Sequence, residues 1–144
     1  SAALQRFNHL TGEIDGLYHE AAFGMGLSDS AMKILYTLCT EGQGCPLARI
    51  CKLSGLSRQT VNSALRKLEA DNILYLEASG GRKKLVRLTC QGEALANATV
   101  MKIIEIENRI LGSWPKEVQG LYLRLTQEYL EAFRKEIKAL KPAP

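Results

Sequence analysis

One fifteen-residue stretch, GLSRQTVNSALRKLE from Gly55 to Glu69, constrains this chain more than any other. Val61, Leu65 and Leu68 stand at i, i+4 and i+7, so on a helix they form one narrow apolar stripe with Ala64 beside it. Burying that stripe turns Arg58, Gln59, Asn62, Ser63 and Arg66 outward. Ser57 is placed to cap the helix by accepting a backbone N–H. Gly55, just before it, marks a sharp turn. Asp71-Asn72 is the expected end, because asparagine tolerates the left-handed conformation found at helix C-termini.

The flanking segments extend the pattern. A short helix is expected from Leu47 to about Leu53, with Pro46 suited to its start. After the capped helix come ILYLE and KLVRLT, two β-like runs joined across Ser79-Gly80-Gly81. They predict a hairpin with a basic tip and a basic second strand. Helix, tight glycine turn, helix and basic hairpin together make a winged helix-turn-helix. Upstream, Leu4, Phe7, Leu10, Ile14, Leu17 and Tyr18 predict a helix over 4–23, broken by Gly24-Met25-Gly26. Ser28 caps the next helix, whose buried side is Met32, Ile34, Leu35 and Leu38, and the glycine-rich EGQGCP ends it. Thr89 caps a single expected helix from about Cys90 to Leu111, and Trp114-Pro115 separates it from another over 116–140. In that last helix Val118, Leu121, Leu125, Tyr129, Phe133 and Ile137 recur every three or four residues, and Tyr122, Leu130 and Leu140 widen the stripe. So broad an apolar face suits a partner surface. The predicted class is mainly α with a small β-hairpin wing. Residues 1–144 are expected to form one domain, with a winged helix-turn-helix lobe at 28–89 and a helical lobe, suited to a partner surface, from 4–23 and 90–140.

Charge is unevenly distributed. Between Leu47 and Cys90 nine basic residues face three acidic ones, a net of +6, whereas the remainder carries ten basic and twelve acidic residues, a net of −2. A basic middle between nearly neutral flanks points to a polyanion partner, and the alternative is a solvated basic face. The polar types on the 58–66 helix suit base edges: arginine donates two bonds to guanine, and asparagine or glutamine pairs with adenine. Thr60, Lys67 and the hydroxyls suit phosphates. Recognition helices insert their N-terminal residues, which favours Arg58, Gln59 and Asn62 as readers. Arg82 at the hairpin tip suits a narrow minor groove, and Lys83, Lys84 and Arg87 suit phosphates, with one of the three expected to lie along the sheet edge.

At this point the sequence resembles the MarR family of bacterial transcription regulators. The likeness runs through LSDSAMKILYTL, GLSRQTVNSALRKLE, the Val-Arg-Leu-Thr end of the wing, and Leu88, Thr89 and Gly92, which match the family's LTxxG. The resemblance implies a homodimer whose first and last helices interlock, with one recognition helix per major groove and a wing beside it. It also implies a ligand between the dimer helices and the reading head that loosens DNA binding. By that likeness Arg58, Gln59, Thr60, Asn62 and Ser63 are groove residues and Arg82 is the wing arginine; with Ser57, Arg66, Lys83 and Lys84, from the residue pattern itself, they make up the expected DNA-binding set. Tyr18, Phe23, Met25, Met32 and Tyr36 flank the expected pocket for a small aromatic effector, with plain core packing as the alternative. Two departures stand out: Gly80 replaces the aspartate usual two residues before the wing arginine, and Asn72 replaces the glycine usual after the recognition helix.

Other chemistries find less support. Cys39, Cys45, Cys51 and Cys90 form no CxxC pair, which reads as reduced thiols. A redox-sensing regulator acting through Cys45, placed in a loop, or Cys90, at a helix start, is a second reading. A winged-helix protein-interaction module without DNA binding is a third. His9 and His19 lack the spacing of a metal pair, so no metal or cofactor is expected. No phosphate-cradling loop or nucleophile–base pair argues for an enzyme. No charged-then-apolar leader opens the sequence and no apolar run reaches about 18 residues, which together point to a cytoplasmic protein without a membrane partner.

Overall fold

In the computed structural model, residues 1–42, 44–81 and 83–140 are described. The order is α1 (Ala2–Gly24), α2 (Asp29–Glu41), β1 (Cys45–Pro46), α3 (Leu47–Ser54), α4 (Arg58–Ala70), β2 (Leu74–Ser79), β3 (Lys83–Leu88), α5 (Cys90–Ala98), α6 (Val100–Gly112) and α7 (Lys116–Ala139). The chain divides into two compact units, Ser1–Ile104 and Glu105–Pro144. Among the described residues no helix is long and apolar enough to cross a membrane.

The first unit holds the core. Ile34 and Leu35 of α2, Ile50 of α3, Val61 of α4, Leu74 and Val86 of the sheet, and Val100 of α6 are all but sealed from solvent. Leu65 and Leu68 join them, so the predicted α4 stripe is the face that packs. Helices α2, α4 and α5 each begin at a capping side chain: Ser28, Ser57 and Thr89 accept N–H bonds from Ala31, Thr60 and Gly92 at 3.1, 3.1 and 2.9 Å. His19 Nδ1 lies 2.9 Å from an Asp29 carboxylate oxygen, linking α1 to the start of α2.

The sheet has three antiparallel strands in the order β1-β3-β2. The third strand is a correction: EGQGCP does more than end α2, because Cys45 pairs with Val86 and Pro46 with Leu85. Proline fits there because an edge strand can spare an N–H. A second correction concerns the helix expected from Cys90 to Leu111. It breaks at Thr99 (φ −126°, ψ −90°), whose buried hydroxyl donates 2.7 Å to the Leu95 carbonyl and whose N–H bonds Ala96 O at 3.2 Å. Two β-branched residues in succession, Thr99 and Val100, weaken the helix where that hydroxyl competes for backbone.

The end of α4 is locked twice. Asn72 adopts φ 60°, the Ile73 N–H bonds Leu68 O at 2.9 Å and the Asn72 N–H bonds Glu69 O at 3.0 Å, which is a Schellman closure. Thr89 then ties the end of the wing to that closure. Its N–H donates to Ile73 O at 3.0 Å, and its hydroxyl donates to Asn72 O at 2.6 Å. Gly92 completes the joint, because a Cβ there would run into the Ile73 carbonyl.

The second unit consists of the end of α6 and α7. No residue of α7 is buried, and Val118, Leu121, Leu125, Phe133 and Ile137 are about half exposed. Trp114 meets Tyr122 edge-to-face at 5.5 Å, and with Leu121 and Leu125 they line an apolar groove. In the first unit α1 likewise leaves Leu4, Phe7, Leu10, Ile14 and Leu17 exposed.

Replacing Gly92 with alanine tests the joint. Alanine gains about 1 kcal/mol in an ordinary helix interior, but here it should cost about 1–3 kcal/mol through overpacking against the Ile73 carbonyl. Urea unfolding measures the sign, and an unchanged or raised midpoint would refute the close approach.

Candidate nucleic-acid interface

The interface is built from α4 outward. Because Val61, Leu65 and Leu68 are held in the core, Arg58, Gln59, Ser63, Arg66 and Lys67 are exposed, and Asn62 is half-buried at the edge of the face. Ser57 and Thr60 are exposed but already engaged: the Ser57 hydroxyl accepts the Thr60 N–H and donates to Thr60 Oγ1 at 2.8 Å. That leaves the Thr60 hydroxyl proton for an outside acceptor, whereas Ser57 is occupied in fixing the helix start. The first turn of α4 carries no acidic residue, so its dipole and the Arg58 charge present one positive end.

The wing is β2 and β3, paired from Leu74↔Leu88 to Ser79↔Lys83. Gly80 and Gly81 turn it with φ 22° and 93°. Lys84 is exposed on β3, opposite Ala78, and Lys83 opens the strand. Arg82, the expected wing arginine, lies outside the described residues.

Two of the basic residues are neutralised locally. Arg49 forms an ion pair with Glu41, whose hydrogen bond and charge raise the arginine's already high pKa. Arg87 is the wing cation that lies along the sheet: its Nε sits 2.7 Å from Glu77 Oε2, and its guanidinium fills the space where Gly44 lacks a side chain. The Nε–H is not directed at the carboxylate, so the contact is an ion pair and that buried N–H is left without a hydrogen bond. Among the described residues Arg58, Arg66 and Lys67 of α4 and Lys84 of the wing enter no ion pair, nor does Lys52 of α3, so α4 and the wing keep exposed positive charge.

The five residues expected around an effector differ widely in burial. Met32 is core, Tyr18, Met25 and Tyr36 are half-buried, and Phe23 is 81% exposed at the end of α1. An open cavity of about 320 Å³ lies elsewhere, among α2, β3 and α5, with Arg87, Glu93 and Asn97 in its wall. Sequence periodicity could not have found it, since its residues come from four separate segments.

The thiols differ from expectation at one position. Cys45 is not an exposed loop residue: as part of β1 it is 2% exposed, burial and then the Glu41 charge push its thiol up, and Arg49 offsets part of that. Burial also raises Cys39. Cys90 is exposed at the first position of α5. Among the described residues no group of histidine, cysteine and carboxylate side chains could hold a metal ion.

A MarR family model matches residues 25–84, which span α2 to the wing tip. The winged-helix segment is MarR-like. The fold of the whole chain agrees. A MarR family regulator from Neisseria meningitidis superposes with a TM-score of 0.83 at 20% identity, over 96% of this chain and 99% of that one. S. aureus MepR in DNA-binding conformation gives 0.75 at 19% identity, over 91% and 98%. Bordetella bronchiseptica BpsR, whose DNA binding is regulated by 6-hydroxynicotinic acid, gives 0.62 at 21% identity, over 85% and 97%. No curated protein matches the chain significantly. The MarR-type match ends at Lys84, so the LTxxG joint at Leu88, Thr89 and Gly92 is carried by the structure.

Thiol chemistry separates the cysteines directly. A thiol-reactive aromatic disulfide followed by mass mapping should modify Cys90 first and Cys45 last, at a rate set by unfolding. Modification of Cys45 as fast as Cys90 would contradict the β1 assignment.

Proposed function

We propose that the chain is a cytoplasmic transcriptional regulator that binds double-stranded DNA sequence-specifically as a homodimer and acts as a ligand-responsive repressor. The observation that carries the reading is the exposed, unneutralised face of α4, held outward by the burial of Val61, Leu65 and Leu68. Arg58, Gln59 and Asn62 at its N-terminal end read base edges in a major groove. Ser63 and Arg66 extend that contact, and Thr60, Lys67, Lys83 and Lys84 hold phosphates. Arg82 is assigned to the minor groove beside the wing. Ser57 acts through the helix it caps.

The dimer reading is supported by α1 and α7, each of which exposes a continuous apolar stripe of a kind that rarely stays uncovered. Two-fold symmetry then predicts a near-palindromic site with half-site centres about 10 bp apart. Regulation by a small effector is in keeping with what is recorded of BpsR. Its energetic content is a ligand affinity that differs between two dimer shapes.

Selection from a random duplex library tests the reading, and an enriched inverted repeat is expected. On that site Arg58→Ala should lose about 1–3 kcal/mol and relax the preference at one base pair. Equal weakening on every sequence would make Arg58 a phosphate contact instead. Lys84→Ala should weaken all duplexes alike and lower the salt slope by about one. An unchanged slope would remove Lys84 from the interface, and no enrichment from the library would overturn the sequence-specific reading.

A further inference from the structure

Glu77 is the one acidic residue on the wing: between Leu74 and Leu88 it stands among four basic residues, Arg82, Lys83, Lys84 and Arg87. A carboxylate on an element assigned to phosphates repels the partner that the others attract. Its surroundings show what it is tied to. Tyr75 pairs with Arg87 and Glu77 with Leu85, so Glu77 and Arg87 are diagonal neighbours on one face of the hairpin. Glu77 Oε2 lies 2.7 Å from Arg87 Nε. β3 is the central strand, and the same guanidinium also lies against the backbone that leads into β1: a Cβ at Gly44 would stand 2.9 Å from one of its nitrogens. One side chain thus reaches both neighbours of β3. It does so where the hairpin leaves the core, since Leu74 and Val86 are buried whereas Ala78 and Lys84, one row beyond Glu77, are exposed. Further out the turn carries Gly80 and Gly81, where an added side chain would meet nothing, and glycine has the most backbone freedom to lose.

We propose that the Glu77–Arg87 pair positions the wing for DNA, a role that rests on the DNA-binding reading above. The pair fixes the hairpin in the orientation that presents Lys83 and Lys84 to phosphates, so that an acid strengthens binding to a polyanion. An ion pair open to water contributes little. The Arg87 side chain, however, is only 26% exposed, so loss of Glu77 leaves a largely desolvated guanidinium without its counter-charge. The hairpin then shifts to rehydrate it, the competent orientation becomes a fraction of the ensemble, and apparent affinity falls by that fraction. Neither residue needs to touch DNA.

Net charge and positioning predict opposite signs for Glu77→Gln. Removing a negative charge beside DNA tightens binding if charge alone matters. If Glu77 positions the wing, Glu77→Gln should instead bind the duplex selected by the native chain about three- to tenfold more weakly, with a shallower salt slope. Arg87→Gln should weaken binding by a similar factor, although it changes the charge the other way. Each loss should shrink in a Lys84→Ala background, because both act through the wing, and should be undiminished in an Arg58→Ala background. A general loss of stability would not make that distinction. In the protein alone, backbone amides of β2 and β3 should exchange about three- to tenfold faster in Glu77→Gln. Equal or tighter DNA binding by Glu77→Gln, or unchanged exchange, overturns the role. Should Arg87→Gln fail to fold, the sign of the Glu77→Gln effect still decides. A native chain that selects no duplex overturns the functional reading and this role with it. A native chain that binds its site, while Glu77→Gln binds it equally well, overturns this role alone.

Discussion

The burial of Val61, Leu65 and Leu68 decides which way α4 faces. Each such side chain contributes roughly 1.5–3 kcal/mol when removed from water, so rotating the helix by half a turn would forfeit most of that and bury two arginines. A desolvated, unpaired guanidinium costs several kcal/mol more. The polar face therefore points outward as a consequence of packing, and its rigidity comes from the same source. The Ser57 cap fixes where that face begins.

The wing depends on a second constraint, at the joint formed by Asn72, Ile73, Thr89 and Gly92. Thr89 bonds the carbonyls that leave α4, and Gly92 lets α5 press against the Ile73 carbonyl. The end of α4, the root of the wing and the start of α5 thus share a few hydrogen bonds. The Glu77–Arg87 ion pair crosses the two strands that this joint holds at their base.

Much of this was legible in the sequence because the relevant rules are local. The α4 stripe, the caps at Ser28, Ser57 and Thr89 and the left-handed Asn72 each follow from residues a few positions apart. The third strand was not legible, since Cys45-Pro46 offers too little pattern and its pairing partner is some forty residues away. That pairing also buried Cys45, which reads as loop when taken alone. The break at Thr99 was hidden because neither glycine nor proline marks it, only a hydroxyl that bonds back to Leu95. Charge sums gave the basic middle correctly but could not say that Arg49 and Arg87 are spent on Glu41 and Glu77. The cavity beside Arg87 is a product of tertiary assembly and leaves no periodic trace.

The central claim is that the exposed face of α4 contacts the bases. Titrating isotope-labelled protein with a selected duplex, and following backbone and side-chain resonances, tests it most directly. The account predicts the largest changes at Arg58, Gln59, Asn62 and Arg66, smaller ones along the wing, and none at the core stripe of the same helix. Changes confined to other elements, with α4 silent, would contradict it.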